Sequence, residues 1–315
     1  METVLRWGRS AYETDLDLGR EQRDAEALGL SWKAHEDRSR PDSLAQTDVL
    51  VVNSGVRVDE AVLDALRGNL VITTTSGWDH IDAKAARKRG IAVCRCPEAR
   101  RDAVVETTVA GLMGVLRAIP HLHAAATRGT WARGDLPSLG PGLLAEATVA
   151  VVGASGVIGR PVCATLQALG ARVIGVDPAG VPEGVEAAPL GLALNAADAV
   201  TLHCHLNDRT RGLIGPAQLD ALGPDGVVIN TARGPILDVA EVVSRLEQGR
   251  LRGALVDVFP EEPYPALADG AAVPGVWFLP HAAGFTSDLG TRVARGVHGA
   301  LQAHHLGGPL PHRVA

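Results

Sequence analysis

The sequence predicts an α/β protein built on doubly wound parallel sheets, and three observations carry that expectation. Short apolar runs alternate with helix-spaced segments along most of the chain; TVAVVG (148–153), ARVIGVD, DAVTLH, GVVIN, ALVDV and VWFL follow one another in this way. That alternation is the pattern of repeated strand–helix units. A glycine-bearing turn follows the first of these strands, and three polar residues, Arg233, Glu262 and His281, each stand just past a later one. In an open parallel sheet the carboxyl ends of the strands line one crevice, so side chains distant in sequence can meet there.

At 315 residues, 46% of them hydrophobic, the chain has material for two cores of ordinary size. The net charge of −6 comes from interleaved acids and bases, which argues against a nucleic-acid partner. No apolar run approaches the length of a membrane span, and METVLRWGRS lacks the apolar core of a signal peptide, so neither a membrane nor export is expected. Cys94, Cys96, Cys163 and Cys204 have no metal-site spacing; we expect reduced thiols in a cytoplasmic protein and no bound metal.

In the first hundred residues DVLVVN (48–53), NLVITTT (69–75) and IAV (91–93) read as strands. Val58–Arg67 and Asp82–Arg89 have helical spacing, each with an aspartate near its start that can cap the first turn. A long helix is expected from Asp102 to about Arg128, leaving this first unit, with a Gly/Pro-rich loop from Gly129 to Gly142 after it. Ser287–His305 reads as a final helix that packs back on the first unit.

The turn after TVAVVG runs Gly153, Ala154, Ser155, Gly156, Val157, Ile158, Gly159. Glycines there let the backbone approach a pyrophosphate, and the helix that follows offers free N–H groups and the positive end of its dipole. Gly156 and Gly159 fit the last two positions of GxGxxG; the turn has either one extra residue or an alanine at the first position. Pro161 is tolerable only in the first helical turn, where no donor is lost. Asp177 ends the next strand, 18 residues past Gly159, close to the spacing of an acid that binds the adenosine ribose. A carboxylate there repels a 2′-phosphate, and no arginine follows it, so the cofactor expected is NAD rather than NADP.

With these residues in view, the chain resembles the D-isomer-specific 2-hydroxyacid dehydrogenases over most of its length. The likeness rests on TRGLI from Thr210, NTARG from Asn230, LEQGR from Leu246, and Asp257-Val-Phe with Glu262 and Pro263. Upstream, SGWDHID from Ser76 resembles the family's substrate loop, and Val104, Val105 and Glu106 the start of its interdomain helix. Departures are His205 for a usual proline, Thr107 for a frequent histidine, and the absence of a basic residue near Asn53 and Ser54, which disfavours phosphorylated substrates.

The resemblance implies a Rossmann NAD-binding domain, 99–284, inserted into a smaller flavodoxin-like substrate domain, 1–98 with 285–315, and a homodimer formed largely through the cofactor domains. It implies that His281 is the acid–base group, that Glu262 orients its ring, and that Arg233 holds the substrate carboxylate with a bidentate fork. The amides of Ser76 and Gly77 take the other end of that carboxylate. Val157 and Ile158 meet the pyrophosphate through their amides, and Asp257 contacts the nicotinamide amide. Thr231, Ala232, Arg233, His281 and Gly284 also line the cofactor.

Singly, each of these residues has a plainer reading, Arg233 as a surface ion pair, His281 as a loop-end histidine and Glu262 as a turn acid; their joint pattern favours function. His203 and Cys204, near the expected cofactor, are assigned to packing. Trp78 either narrows the pocket toward a small substrate or belongs to the core. Two alternatives remain: a dehydrogenase of another small anion such as formate or phosphite, and a non-catalytic, NAD-sensing corepressor or scaffold.

Overall fold

A computed structural model describes residues 1–10, 12–265, 273 and 275–315. It divides into two compact units, Met1–Arg101 with Phe285–Ala315, and Asp102–Gly284. The first junction thus falls after Arg101 rather than after residue 98.

The first unit is a five-stranded parallel sheet. In chain order it runs β1 (Thr3–Trp7), α1 (Asp15–Ala27), β2 (Ser31–His35), β3 (Val49–Val52), α2 (Glu60–Ala65), β4 (Leu70–Thr73), α3 (Ala83–Lys88) and β5 (Ala92–Arg95). The spatial order is β2-β1-β3-β4-β5, a doubly wound arrangement. Asp59 and Asp82 cap α2 and α3 as their spacing suggests, accepting from the amides of Val62 and Ala85. Leu50 and Val52 pack on one face of the sheet, Val49 and Val51 on the other, as the two-residue period of a strand requires. The final helix, Leu289–His305, covers the second face with Leu289, Val293, Val297 and Leu301.

The sequence does not announce β1, because a buried charge interrupts its apolar run. Arg6 points inward and donates to Glu21 Oε2 at 3.1 Å, to the Gly8 carbonyl at 2.6 Å and to Glu13. Burial pushes the Glu21 carboxyl up to about 7, against the pull of Arg6. A folded-state value above the unfolded one means that the folded chain holds an extra proton between the two. Glu21 therefore favours folding most below its ordinary value near 4.5, and that contribution is lost as pH rises toward 7. The thermal midpoint is expected to fall across this window, and Glu21→Gln to flatten the slope; an unchanged slope would rule out Glu21 as its source.

The second unit opens with α4 (Glu98–Leu116), α5 (Ile119–Thr127) and α6 (Leu136–Leu139). The single helix expected to Arg128 is broken: Ala118 adopts φ 56°, and α4 and α5 are bent by 72°. Pro120 is the reason, since a proline inside a helix removes a donor and clashes with the preceding turn. After them come β6 (Thr148–Val152), α7 (Gly159–Ala168), β7 (Arg172–Val176), β8 (Glu186–Ala187), α8 (Leu190–Ala196), β9 (Ala199–Leu202), α9 (Pro216–Leu222), β10 (Val227–Asn230), α10 (Val239–Glu247), β11 (Gly253–Val256) and β12 (Val276–Phe278).

Their order is β12-β11-β10-β9-β6-β7-β8, all parallel. The central strands are buried on both faces, which explains their unbroken apolar runs. The chain reverses direction across the sheet between β9 and β6, and a crevice opens at such a switch beyond the carboxyl ends. Among the described residues no single helix is long and apolar enough to cross a membrane, and no cluster of potential metal ligands occurs.

Candidate active site

Three neighbouring strand ends set the geometry. Asn230 is in register with Val256, and Val256 with Phe278, so the chains leaving β10, β11 and β12 start level and about 4.8 Å apart. Past β10, Asn230 folds its side chain back, accepting from the Ala232 amide at 3.1 Å and donating to the Arg233 carbonyl at 3.2 Å. That turn presents the Arg233 guanidinium, whose Nη1 is fixed on the Ala232 carbonyl at 2.7 Å. Gly234 follows, and a Cβ there would overlap the carbonyl of Phe259. Only glycine lets the Arg233 turn lie against the loop that carries Glu262.

On that loop, Glu262 accepts from the Phe259 amide through Oε1 at 3.0 Å and holds His281 Nδ1 through Oε2 at 2.7 Å. Partial burial would lift its carboxyl. The bonds from His281 and Phe259, with the charges of His281 and Arg233, outweigh burial and hold the carboxyl below the usual carboxylate range. Arg233 is thereby close enough to act on the same carboxylate electrostatically. His281 keeps Nε2 for a ligand, because Nδ1 is committed to Glu262.

His281 sits at φ 55°, a left-handed backbone that side chains other than glycine rarely adopt. Asp257 explains how it is held. The Asp257 carbonyl accepts from the His281 amide at 2.7 Å, and its carboxylate accepts from Ala282 at 2.7 Å and Ala283 at 3.1 Å. Three consecutive amides end on one buried residue. Burial raises the Asp257 carboxyl despite those amides. Thr107 adds a bond from α4, donating to the Ala283 carbonyl at 3.2 Å, so the residue that replaces a frequent histidine also braces the His281 turn. Thr231 lies against Thr108, their hydroxyls 3.1 Å apart, with Ala232 and Gly284 partly buried beside the same loops.

At the other side of the switch, the glycine turn has one residue more than GxGxxG. Gly153 carries the positive φ, 85°, and a Cβ there would lie 2.7 Å from the backbone of His203 and Cys204. At Gly159 a Cβ would overlap the Gly153 carbonyl, whereas Ala154 packs into the core. Val157 and Ile158 have amides with no acceptor among the described residues, which suits a pyrophosphate. Pro161 falls in the first turn of α7. Asp177 accepts from the Ser155 amide at 3.1 Å and the Ala179 amide at 2.9 Å, which ties it to the turn and leaves lone pairs for a ribose. The residues present thus fit a dinucleotide. His203 bonds Thr201 through Nε2 at 2.9 Å, and burial pushes its imidazole down to about 3. It stays neutral, in keeping with a packing role.

The substrate-loop residues belong to the first unit. Ser76 and Gly77 follow β4, and neither amide has an acceptor among the described residues, although Gly77 is buried. Arg95, from the end of β5, donates to the Ser76 carbonyl at 3.0 Å and lies 5.0 Å from the Trp78 ring centroid. The Arg38 guanidinium reaches Gly55, where a Cβ would meet Cζ, Nε and Nη2 at 3.0 Å each. Arg38 precedes β3 in the sequence and comes back to Gly55 only through the fold.

A parallel sheet with a glycine turn at its switch, and Arg233, Glu262 and His281 past adjoining strand ends, is the arrangement of a dinucleotide-binding domain. Residues 109–283 match the model of the D-isomer specific 2-hydroxyacid dehydrogenase NAD-binding domain. The chain belongs to that family. It is 32% identical over 279 residues to a glyoxylate reductase of Thermofilum pendens, covering 82% of this chain and 81% of that protein. It is 34% identical over 231 residues to a D-3-phosphoglycerate dehydrogenase of Methanocaldococcus jannaschii, covering 70% of this chain but only 43% of that protein. Among solved structures, an NADPH-dependent glyoxylate/hydroxypyruvate reductase of Sinorhizobium meliloti, in complex with NADP and malonate, superposes with a TM-score of 0.81 at 25% identity, over 100% of this chain and 97% of that one. D-lactate dehydrogenase of Aquifex aeolicus, complexed with NAD and lactic acid, shares the fold, with a TM-score of 0.80 at 23% identity over 96% of each chain.

Proposed function

We propose that the protein is an NAD-dependent oxidoreductase that interconverts a small D-2-hydroxy acid and its 2-keto acid. The observation that carries this reading is the 2.7 Å bond between His281 Nδ1 and Glu262, which leaves Nε2 as the proton-transfer atom. Bound between the glycine turn and these strand ends, the nicotinamide cofactor would supply the hydride acceptor or donor for substrate C2. His281 takes the 2-hydroxyl proton in oxidation and returns it in reduction. Glu262, held anionic, fixes the ring through Nδ1. Arg233 binds the substrate carboxylate and polarises the carbonyl, and we assign the Ser76 and Gly77 amides to the same carboxylate. Asp257 sets the His281 turn and, with Thr231, Ala232 and Gly284, lines the cofactor. Reduction of 2-keto acids followed by NADH absorbance tests the reading; NADH binding without turnover of any of them would favour the scaffold alternative.

Arg233→Lys is expected to raise KM and lower kcat together, because an ammonium cannot match a carboxylate bidentately. Steady-state kinetics check it, and wild-type values would remove Arg233 from substrate binding.

The cofactor preference is assigned to NAD, since the Asp177 carboxylate repels a 2′-phosphate and Pro178, Ala179 and Gly180 offer no cation. Asp177→Ser is expected to bring kcat/KM for NADPH closer to that for NADH. A wild-type preference for NADPH would refute the assignment.

A homodimer is part of the reading. Met113, Ile119, Trp131 and Leu143 of the second unit are exposed apolar side chains, Trp131 to 87%; sedimentation velocity tests the homodimer. We also place the protein in the cytoplasm, in keeping with four free cysteines.

A further inference from the structure

We propose that Ser155, the additional residue of the glycine turn, is a positioning residue for cofactor selection: its backbone amide holds the Asp177 carboxylate where that group favours free adenosine ribose hydroxyls over a 2′-phosphate. The proposal rests on the cofactor assignment above and deepens it by naming what aims Asp177.

The extra residue faces the neighbouring strand. Val152 is in register with Val176, so Gly153 and Asp177 leave β6 and β7 level and about 4.8 Å apart. The Gly153 amide donates to the Val176 carbonyl at 2.8 Å, and the Gly156 amide closes on the Gly153 carbonyl at 3.1 Å. Ala154 and Ser155 are therefore the central pair of a four-residue turn. Ala154 is fully buried, and Gly175 on β7 makes room for it: a Cβ there would lie 3.0 Å from the Ala154 Cβ and 2.7 Å from Val181 Cγ1. With Ala154 sunk beside β7, the Ser155 amide is carried over the strand end and donates to Asp177 Oδ2 at 3.1 Å.

Asp177 is held from its other side as well. The Ala179 amide donates to Oδ1 at 2.9 Å, and the Gly180 amide to the Asp177 carbonyl at 3.2 Å, the local turn that an aspartate side chain favours. The two amides fall on different oxygens of one carboxylate, so its plane is fixed. Both donors are neutral, so the full negative charge remains to repel a 2′-phosphate. The Ala179 bond belongs to the turn of Asp177 itself; the Ser155 bond is the one that ties the carboxylate to the turn assigned to the pyrophosphate. A turn one residue shorter would have nothing between Ala154 and Gly156 to make it. A side chain ordered before its ligand arrives gives up less freedom on binding, and one that cannot swing aside keeps its charge where a 2′-phosphate would have to sit.

Deleting Ser155 leaves Gly153, Ala154, Gly156, Val157, Ile158 and Gly159, the spacing of GxGxxG, and retains the amides assigned to the pyrophosphate. Titration calorimetry with NADH and with NADPH gives the ratio of their dissociation constants. The deletion is expected to narrow that ratio by roughly 3–10-fold, the worth of one side chain that must be ordered on binding. Ser155→Ala keeps the amide and is expected to leave the ratio unchanged. Gly175→Ala keeps every donor but pushes Ala154, and the turn with it, off β7; it is expected to act like the deletion. A third readout needs no cofactor: solvent exchange of the Ser155 amide proton, followed by NMR, is expected to be slower in the wild type than in Asp177→Ser. A ratio kept by the deletion, or by Gly175→Ala should the deletion not fold, overturns this inference and leaves the cofactor assignment standing. So do equal exchange rates, or a ratio narrowed as much by Ser155→Ala, which would place the effect in the hydroxyl. A wild-type preference for NADPH overturns the assignment and this inference with it.

Discussion

Replacing His281 by alanine is expected to lower turnover by about 10²–10⁴, the usual contribution of one general acid–base group, while NADH binding is nearly kept. The two effects separate because different parts of the second unit carry them. The glycine turn and Asp177 lie on β6 and β7, across the switch from the strand ends that hold His281. The turn at His281 is held by its backbone amide and those of Ala282 and Ala283 on Asp257, and alanine retains all three amides. A further readout distinguishes chemistry from folding: Glu262→Gln keeps a hydrogen-bonding side chain opposite Nδ1 but removes the carboxylate charge. Its turnover is expected to fall with a changed pH profile, whereas a variant damaged only in folding would lose activity evenly across pH. Ordinary turnover by the alanine variant would remove His281 from the chemistry.

The sites of this chain differ in how much the linear sequence exposes them. The second unit is legible because its strands are buried on both faces and appear as continuous apolar runs, and because Arg233, Glu262 and His281 follow those runs at short distance. The first unit is harder. Its β1 contains Arg6, a charge tolerated only because Glu13 and Glu21 arrive from the following segment and helix, and no local pattern foretells that pairing. The polar β2, half exposed at the sheet edge, gives no clean alternation either. The helix break at Ala118 was available in Pro120, whose missing donor outweighs the apolar periodicity running through it. The two readings of the glycine turn differ only in backbone conformation; the left-handed φ at Gly153 decides for the longer turn. The contacts of Arg38 with Gly55 and of Arg95 with the Ser76 carbonyl depend wholly on tertiary structure, since each joins residues well apart in the sequence.

Gly234→Ala is the second substitution expected to have a large effect, although it adds one methyl group and removes no functional atom. The added Cβ would overlap the Phe259 carbonyl and crowd Pro260, so one of two loops must move. Neither can yield freely. The Arg233 turn is closed by Asn230, and the Glu262 loop is closed by the Phe259 amide on Glu262 Oε1. Relief therefore comes from displacing Arg233, Glu262 or both by about 1 Å, a misplacement that can cost about 10²-fold in rate when reacting groups are held in a fixed geometry. Under the proposed mechanism both the Arg233 fork and the His281 ring would be moved off the substrate, so kcat is expected to fall with KM raised. NADH affinity is expected to change by only a few-fold, because the glycine turn is untouched. Wild-type kinetics in Gly234→Ala would show that the two loops are not packed this closely, and that the convergence of Arg233 with Glu262 does not depend on a missing side chain.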